Sequence, residues 1–191
     1  MASLNPPMCD FGWKAPDFNL PAVNFRSIEG NLVSRDMVMG KNGLLVMFIC
    51  NHCPYVKTIK TRLVVTCLEL EQYGINSIAI QSNDTLKYPE DNFARMTEEA
   101  ARNRFSFPYV LDETQEVAKA YGAVCTPDFF GFNAKGELQY RGRFDAAGRN
   151  PEPPKDSRRD LFDAMKLIAE TGKGPREQIA SIGCSIKWKG E

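Results

Sequence analysis

Cys50 and Cys53 stand three residues apart and enclose His52, the one histidine of the chain, inside the run Leu-Leu-Val-Met-Phe-Ile-Cys-Asn-His-Cys-Pro-Tyr-Val-Lys at positions 44–57. A thiolate attacks disulfides and peroxides, and a second thiol nearby resolves the mixed disulfide that results. The two cysteines are not equivalent. Proline is favoured at the first position of a helix. Pro54 therefore makes Cys53 the N-cap, with its sulfur at the free N–H groups and the positive end of the helix dipole. Cysteines so placed ionise at about pH 3.5–7.5, against about 8.5 unperturbed. Cys53 is the expected nucleophile and Cys50 the nearest resolving thiol. Cys50 also reads plainly as a buried thiol at the end of a strand. His52 either adds charge or a proton shuttle beside Cys53, its ordinary pKa lying near neutrality, or is a loop residue at the mouth of the site.

Cys125-Thr126-Pro127 is the second place where residue types suggest chemistry. X-Pro bonds are where cis peptides occur, and a cis-proline loop beside a thiol exposes backbone groups to an extended substrate. An ordinary turn proline is the plainer reading of the tripeptide alone. Cys67 falls on the apolar face of a helix and reads as core, while Cys9 and Cys184 fall near the two ends. Cys50-x-x-Cys53 is half of a zinc pattern with no second pair, and copper binding by the two thiolates is a further reading.

The elements that must position these residues follow from spacing. Leu44 to Cys50 is an apolar run of strand length, suited to a strand covered on both faces. Val56, Ile59, Leu63, Cys67 and Leu70 recur at helical steps, so a helix runs from Pro54 to Tyr73 and stops at Gly74. Further strands are expected at 75–81, 109–111, 128–132 and 137–143, the last two joined by the hairpin signal Asn133-Ala-Lys-Gly136. Helices are expected at 89–104, 113–121 and 157–170. A short hairpin is expected from 23–27 and 32–34 around a turn at 28–31, after an irregular arm. Alternation of strand and helix implies a sheet with a parallel portion and helices on both faces.

Lys+Arg and Asp+Glu both total 24 in 191 residues, a balance that recommends neither nucleic acid nor an anionic membrane as partner. Arg141, Arg143, Arg149, Arg158 and Arg159 are interleaved with acids and read as solvated surface. No apolar run reaches the ~18 residues of a membrane-spanning helix. The start lacks the basic and apolar regions of a signal peptide, so a cytoplasmic protein is expected. The 6 cysteines then read as buried thiols plus a redox or metal pair, not as a disulfide scaffold.

Taken in order, these residues resemble the thioredoxin-like superfamily, in particular the branch of alkyl hydroperoxide reductase/thiol-specific antioxidant (redoxin) domains and membrane-tethered thiol-disulfide reductases. The resemblance spans about residues 14–170 and rests on Ala15-Pro-Asp-Phe18-x-Leu20, the turn around Gly30, the strand into Cys53-Pro54, Tyr121-Gly122, Thr126-Pro127 ahead of Phe129-Phe130-Gly-Phe132, Lys135-Gly136 and Tyr140-Arg-Gly142. It implies an α/β thioredoxin-like fold, a central mixed sheet flanked by helices with an N-terminal hairpin and a C-terminal tail. The implied division is an arm at 1–14, a domain at 15–172 and a tail at 173–191. It also implies that Pro127 is a cis-proline facing the active site.

The cysteines depart from both patterns of that superfamily. Aligned through the helix start and Lys57, the second thioredoxin cysteine falls on Val56. The peroxiredoxin pattern Pro-x-x-x-Thr-x-x-Cys places Val46 at its proline and Cys50 at its threonine. The expectation is a thiol-disulfide oxidoreductase in which Cys53 attacks, Cys50 resolves, and Thr126, Pro127, His52 and Pro54 position the substrate. Cys125 and Cys184 are alternative resolving thiols. A thiol peroxidase with Cys53 peroxidatic is the alternative, followed by a metal- or copper-binding redoxin-like protein. No cofactor is expected. The expected partners are a disulfide-containing protein or a small thiol or peroxide substrate, an external thiol electron donor, and a second copy in a homodimer.

Overall fold

The structure is a computed structural model and describes residues 3–25 and 30–190. In chain order its elements are β1 (Ser3–Leu4), β2 (Asn19–Pro21), β3 (Leu32–Ser34), α1 (Arg35–Val38), β4 (Gly43–Phe48), α2 (Pro54–Glu71), β5 (Ile75–Gln81), α3 (Phe93–Asn103), β6 (Tyr109–Leu111), α4 (Glu116–Tyr121), β7 (Cys125–Thr126), β8 (Asp128–Asn133), β9 (Leu138–Tyr140), α5 (Asp160–Thr171) and β10 (Gly183–Ser185). The main sheet has the order β6-β5-β4-β8-β9. Its β4, β5 and β6 are parallel, and β8 and β9 are antiparallel additions. The mixed sheet flanked by helices that the resemblance implied is what forms.

Every residue of β4 is buried, as a central strand covered on both faces requires. Side chains alternate along a strand. Leu45 and Met47 pack with Ile59, Leu63 and Cys67 of α2 and Met165 of α5. Leu44, Val46 and Phe48 pack with Val38 of α1, Tyr121 of α4, and Phe130 and Phe132 of β8. The apolar run is thus the wall between two half-cores, and its C-terminal end delivers the cysteines to one rim of the sheet.

Three expected elements are displaced, each for a local reason. The hairpin pairs β2 with β3, Leu20 opposite Val33, so its first strand lies upstream of the expected 23–27. Past Pro21 the chain adds to the main sheet instead: Ala22 bridges Val110, and the Val23 N–H is donated to the Tyr109 carbonyl. The expected turn at 28–31 lies partly outside the described residues. The expected helix 89–104 is split into a 3-10 turn (Pro89–Asp91) and α3, because Asn92 is extended and its side chain accepts the Arg95 N–H as an N-cap. The strand expected to reach Arg143 ends at Tyr140, since the Gln178 side chain captures the Arg141 N–H at 2.8 Å.

The arm and the tail acquire structure from each other. β1 pairs with β10, and β10 pairs with β7, forming a small antiparallel sheet of order β1-β10-β7. Among the described residues, no helix is long and apolar enough to cross a membrane.

Candidate active site

α2 starts at the rim where β4 ends. Pro54 occupies its first turn and Cys53 is its N-cap in extended backbone conformation, as the residue order predicted. Cys53 is fully buried, at 0% exposure. Its sulfur lies 3.0 Å from the carbonyl oxygen of Thr126. Thr126 and Pro127 are joined by a cis peptide bond. Cys50 reaches the same residue from the strand side, its sulfur 3.5 Å from Thr126 Oγ1. Cys184 comes from the tail, opposite Thr126 in the β7–β10 ladder. Cys50 and Cys184 are thus both brought to the residue whose carbonyl accepts from Cys53. Thr126 is therefore the meeting point of three cysteines, two from the link between β4 and α2 and one from the tail.

These neighbours set the ionisation. Donation from the Cys50 thiol is the largest influence on Cys53 and favours its thiolate. Burial opposes it. The Thr126 hydroxyl, the Val56 N–H of the first helical turn and the Cys184 thiol add to the first effect, and the result is a pKa lowered to about 5. The Thr126 carbonyl acts the other way, since it accepts a hydrogen bond only from the protonated thiol. Cys50 is pushed well above the ordinary thiol range, first by burial and then by the adjacent Cys53 sulfur. Burial also lifts Cys184, to about 11. One sulfur held ionised beside two thiols held protonated is an arrangement that can pair a nucleophile with a reducing thiol.

Cys125 lies beside this cluster without joining it. Its thiol points to the Pro127 carbonyl at 3.5 Å, and burial, then Asp128, pushes its pKa up. Cys67 is in the core on the buried face of α2, as its helical spacing predicted, and burial lifts it to about 12. Cys9 is half-buried and lifted to about 11, mainly by burial.

His52 is half-buried and does not face solvent freely. Its Nδ1 donates to Asp91 Oδ2 at 2.6 Å and lies 3.8 Å from the Cys50 sulfur. The ring stacks on Tyr88 with centroids 5.2 Å apart. Asp91, absent from the sequence reading, is itself fully held. Its Oδ1 accepts the Asn51 N–H at 2.8 Å and the His52 N–H at 3.2 Å, and its Oδ2 accepts Asn83 Nδ2 at 2.8 Å. Cys50, His52 and Asp91 bring one thiol, one imidazole and one carboxylate within 4.8 Å of one another, a set that can hold a metal ion. Each carboxylate oxygen of Asp91 is already bonded twice, which suits orientation of His52 better than coordination.

The Asp91 contact raises the His52 pKa above its ordinary value, chiefly through the hydrogen bond. The native state then binds this proton more tightly than the unfolded chain. Its stabilisation is complete below about pH 6.5 and lost as pH rises through the folded value. Because His52 is the one histidine, its ring signals in an NMR titration need no assignment. Asp91→Asn is expected to move that midpoint down; an unmoved midpoint would show that Asp91 does not set it.

The sheet topology, the helix opening on a lowered thiol and the cis-proline loop beside it define a thioredoxin-like protein of thiol redox chemistry. The chain belongs to the AhpC/TSA family, whose model matches residues 11–141. Membership makes it, in general terms, a thiol oxidoreductase or peroxidase. A conserved protein from Geobacillus kaustophilus described as uncharacterized is 40% identical, with a TM-score of 0.90 over 100% of this chain and 98% of its own. A hypothetical protein from Sinorhizobium meliloti 1021 is 36% identical, with a TM-score of 0.87 over 98% of this chain and 99% of its own. A peroxidoxin from Mycobacterium tuberculosis shares the fold at 13% identity and a TM-score of 0.58, over 85% of this chain and 96% of its own. No curated protein sequence matches the chain.

Proposed function

We propose that this protein is a thiol-disulfide oxidoreductase whose nucleophile is Cys53. The observation that carries this reading is the Cys53 sulfur at the start of α2, 3.0 Å from the Thr126 carbonyl, with Cys50 at the Thr126 hydroxyl and Cys184 opposite Thr126 in the ladder. These surroundings lower its pKa to about 5. At pH 7 a thiol of that acidity is a thiolate, the species that attacks a disulfide. Cys53 attacks one sulfur of the substrate disulfide, a mixed disulfide forms, and the second substrate sulfur leaves as a thiol. A neighbouring cysteine then displaces the first substrate sulfur, and an external thiol donor reduces the protein disulfide. Cys50, three residues upstream, is the partner within the motif. Pro54 starts the helix that lowers Cys53, and Thr126 and Pro127 form the wall against which the substrate sulfur lies. His52, fixed by Asp91 near Cys50, keeps its proton to higher pH than an ordinary imidazole.

Hydroperoxide reduction is the second reading, and the complete burial of Cys53 favours it, because a small oxidant is what a closed thiol admits. The frame that would cradle a peroxide is replaced by Val46 and Cys50. Both reactions are assayed with the same protein: dithiol-coupled reduction of a disulfide and of a hydroperoxide, from pH 4 to 8. The expected result is disulfide turnover whose acid limb follows ionisation at about pH 5. Turnover of neither substrate above the rate of free cysteine would exclude the reading, and turnover of the hydroperoxide alone would select the second.

A further inference from the structure

β7 has one ladder partner among the described residues, and that partner is β10. A free strand edge beside a reactive thiol is where an extended polypeptide adds as a further strand. Here the chain fills the edge itself. Cys184 lies opposite Thr126, and Ser185 opposite Cys125. Gly183 fits this approach: a Cβ there would stand 2.3 Å from the Thr126 carbonyl oxygen, against backbone that cannot yield cheaply.

Buried polar side chains hold the segment that follows. The Lys187 N–H donates to Asn83 Oδ1 at 2.9 Å, and the Lys187 carbonyl accepts Gln115 Nε2 at 2.8 Å and the Asp84 N–H at 2.9 Å. The Lys189 N–H donates to Gln115 Oε1 at 2.8 Å. Asn83 and Gln115 are 3% and 1% exposed. Their amide nitrogens also bond Asp91 and the Ser82 carbonyl, but Asn83 Oδ1 and Gln115 Oε1 accept from the tail, and buried acceptors left without partners are costly.

We infer that the tail strand occupies the polypeptide-binding edge of the site and presents Cys184 to Cys53 in place of a substrate cysteine, so that the folded protein accepts small disulfides, excludes polypeptide ones, and stores its oxidising equivalents as a Cys53–Cys184 disulfide. This rests on Cys53 being the nucleophile. The step balances. With a small disulfide RSSR, the Cys53 thiolate forms a bond to one sulfur and breaks S–S, and RS⁻ leaves and takes a proton. Cys184 loses its proton to solvent, bonds to the Cys53 sulfur and expels the second RS⁻, which is protonated. RSSR gains two electrons and the protein loses two. The charge on Cys53 helps keep Cys184 protonated beforehand, and its loss in the mixed disulfide frees Cys184 to act at that moment.

The test uses the full chain with hydroxyethyl disulfide and insulin as probes and dithiothreitol as donor. Wild type is expected to turn over hydroxyethyl disulfide and to leave insulin at the rate of dithiothreitol alone, while Gly183→Ala, which lifts the strand, gains insulin reduction. After stoichiometric hydroxyethyl disulfide, tryptic peptides 42–57 and 177–187 of wild type should be found cross-linked, and the link should persist in Cys50→Ser. Insulin reduced as fast by wild type as by Gly183→Ala, or a wild-type disulfide confined to peptide 42–57, overturns the inference and leaves Cys53 as nucleophile. Cys53 unmodified by either probe overturns both. If Gly183→Ala does not fold, the wild-type peptide map decides alone.

Discussion

Cys53→Ser is expected to lower disulfide turnover about a thousandfold or more while leaving the fold intact. Serine differs from cysteine here by one buried atom, and the Thr126 carbonyl that accepts from the thiol at 3.0 Å can accept from a hydroxyl. What serine cannot supply is an anion. The donors around Cys53 bring a thiol to about 5, but a hydroxyl starts far too high for the same donors to ionise it near neutrality. Cys50→Ala tests the cause separately. It removes the largest influence on Cys53, so the acid limb of the rate profile should move toward the ordinary thiol value while Cys53 stays nucleophilic. Residual activity within tenfold of wild type in Cys53→Ser would sink its assignment as the attacking atom.

Arg141→Met is expected to cost about 3–5 kcal/mol of stability. The guanidinium lies beneath the cis-proline loop at 8% exposure, bonded to Asp128 Oδ2 at 3.0 Å and to the Gly122 carbonyl at 2.8 Å, and stacked 4.4 Å from the Phe130 ring centroid. Asp128 is 0% exposed. Truncating one partner of such a pair leaves a buried charge without compensation, whereas exchanging both for apolar groups can be nearly neutral. Asp128→Leu with Arg141→Met should therefore recover much of the loss. The pH dependence has a definite sign. Burial already raises the Asp128 pKa and Arg141 opposes it. Without Arg141 the carboxyl rises further, the native state binds the proton more tightly than the unfolded chain, and the variant gains stability as pH falls. Thermal unfolding at pH 5 and pH 7 checks both statements; a loss under about 1 kcal/mol, the range of surface changes, would show the pair to be unimportant.

That ion pair also marks where sequence reasoning stopped short. Arg141 stands among alternating charges and reads as solvated, yet it is core, because its partner lies across the β8–β9 hairpin. The junction of β4 and α2 was legible because its signals are local: an unbroken apolar run, a proline, then helical spacing. The strands at 75–81 and 109–111 were legible for the same reason. Asp91 was not, since its bond to His52 joins residues 39 positions apart. The start of α4 was misplaced because the Asp112 carboxylate gathers the Val117 and Ala118 N–H groups and Gln115 takes a positive φ, none of which periodicity encodes. Asn92 did carry a readable signal, an asparagine three residues before the Arg95 N–H that its side chain caps.

The 2 tryptophans of the chain fall on its two ends. Trp13 meets Tyr121 edge-on at 5.8 Å, and Trp188 lies 5.8 Å beneath the Lys119 ammonium, against the same half-core. Indole emission depends on its surroundings, so the molecule carries one optical gauge on each terminal segment. In Trp13→Phe the remaining light comes from the segment that covers the thiols alone, and its colour follows that segment's seating while the chemistry beneath it runs.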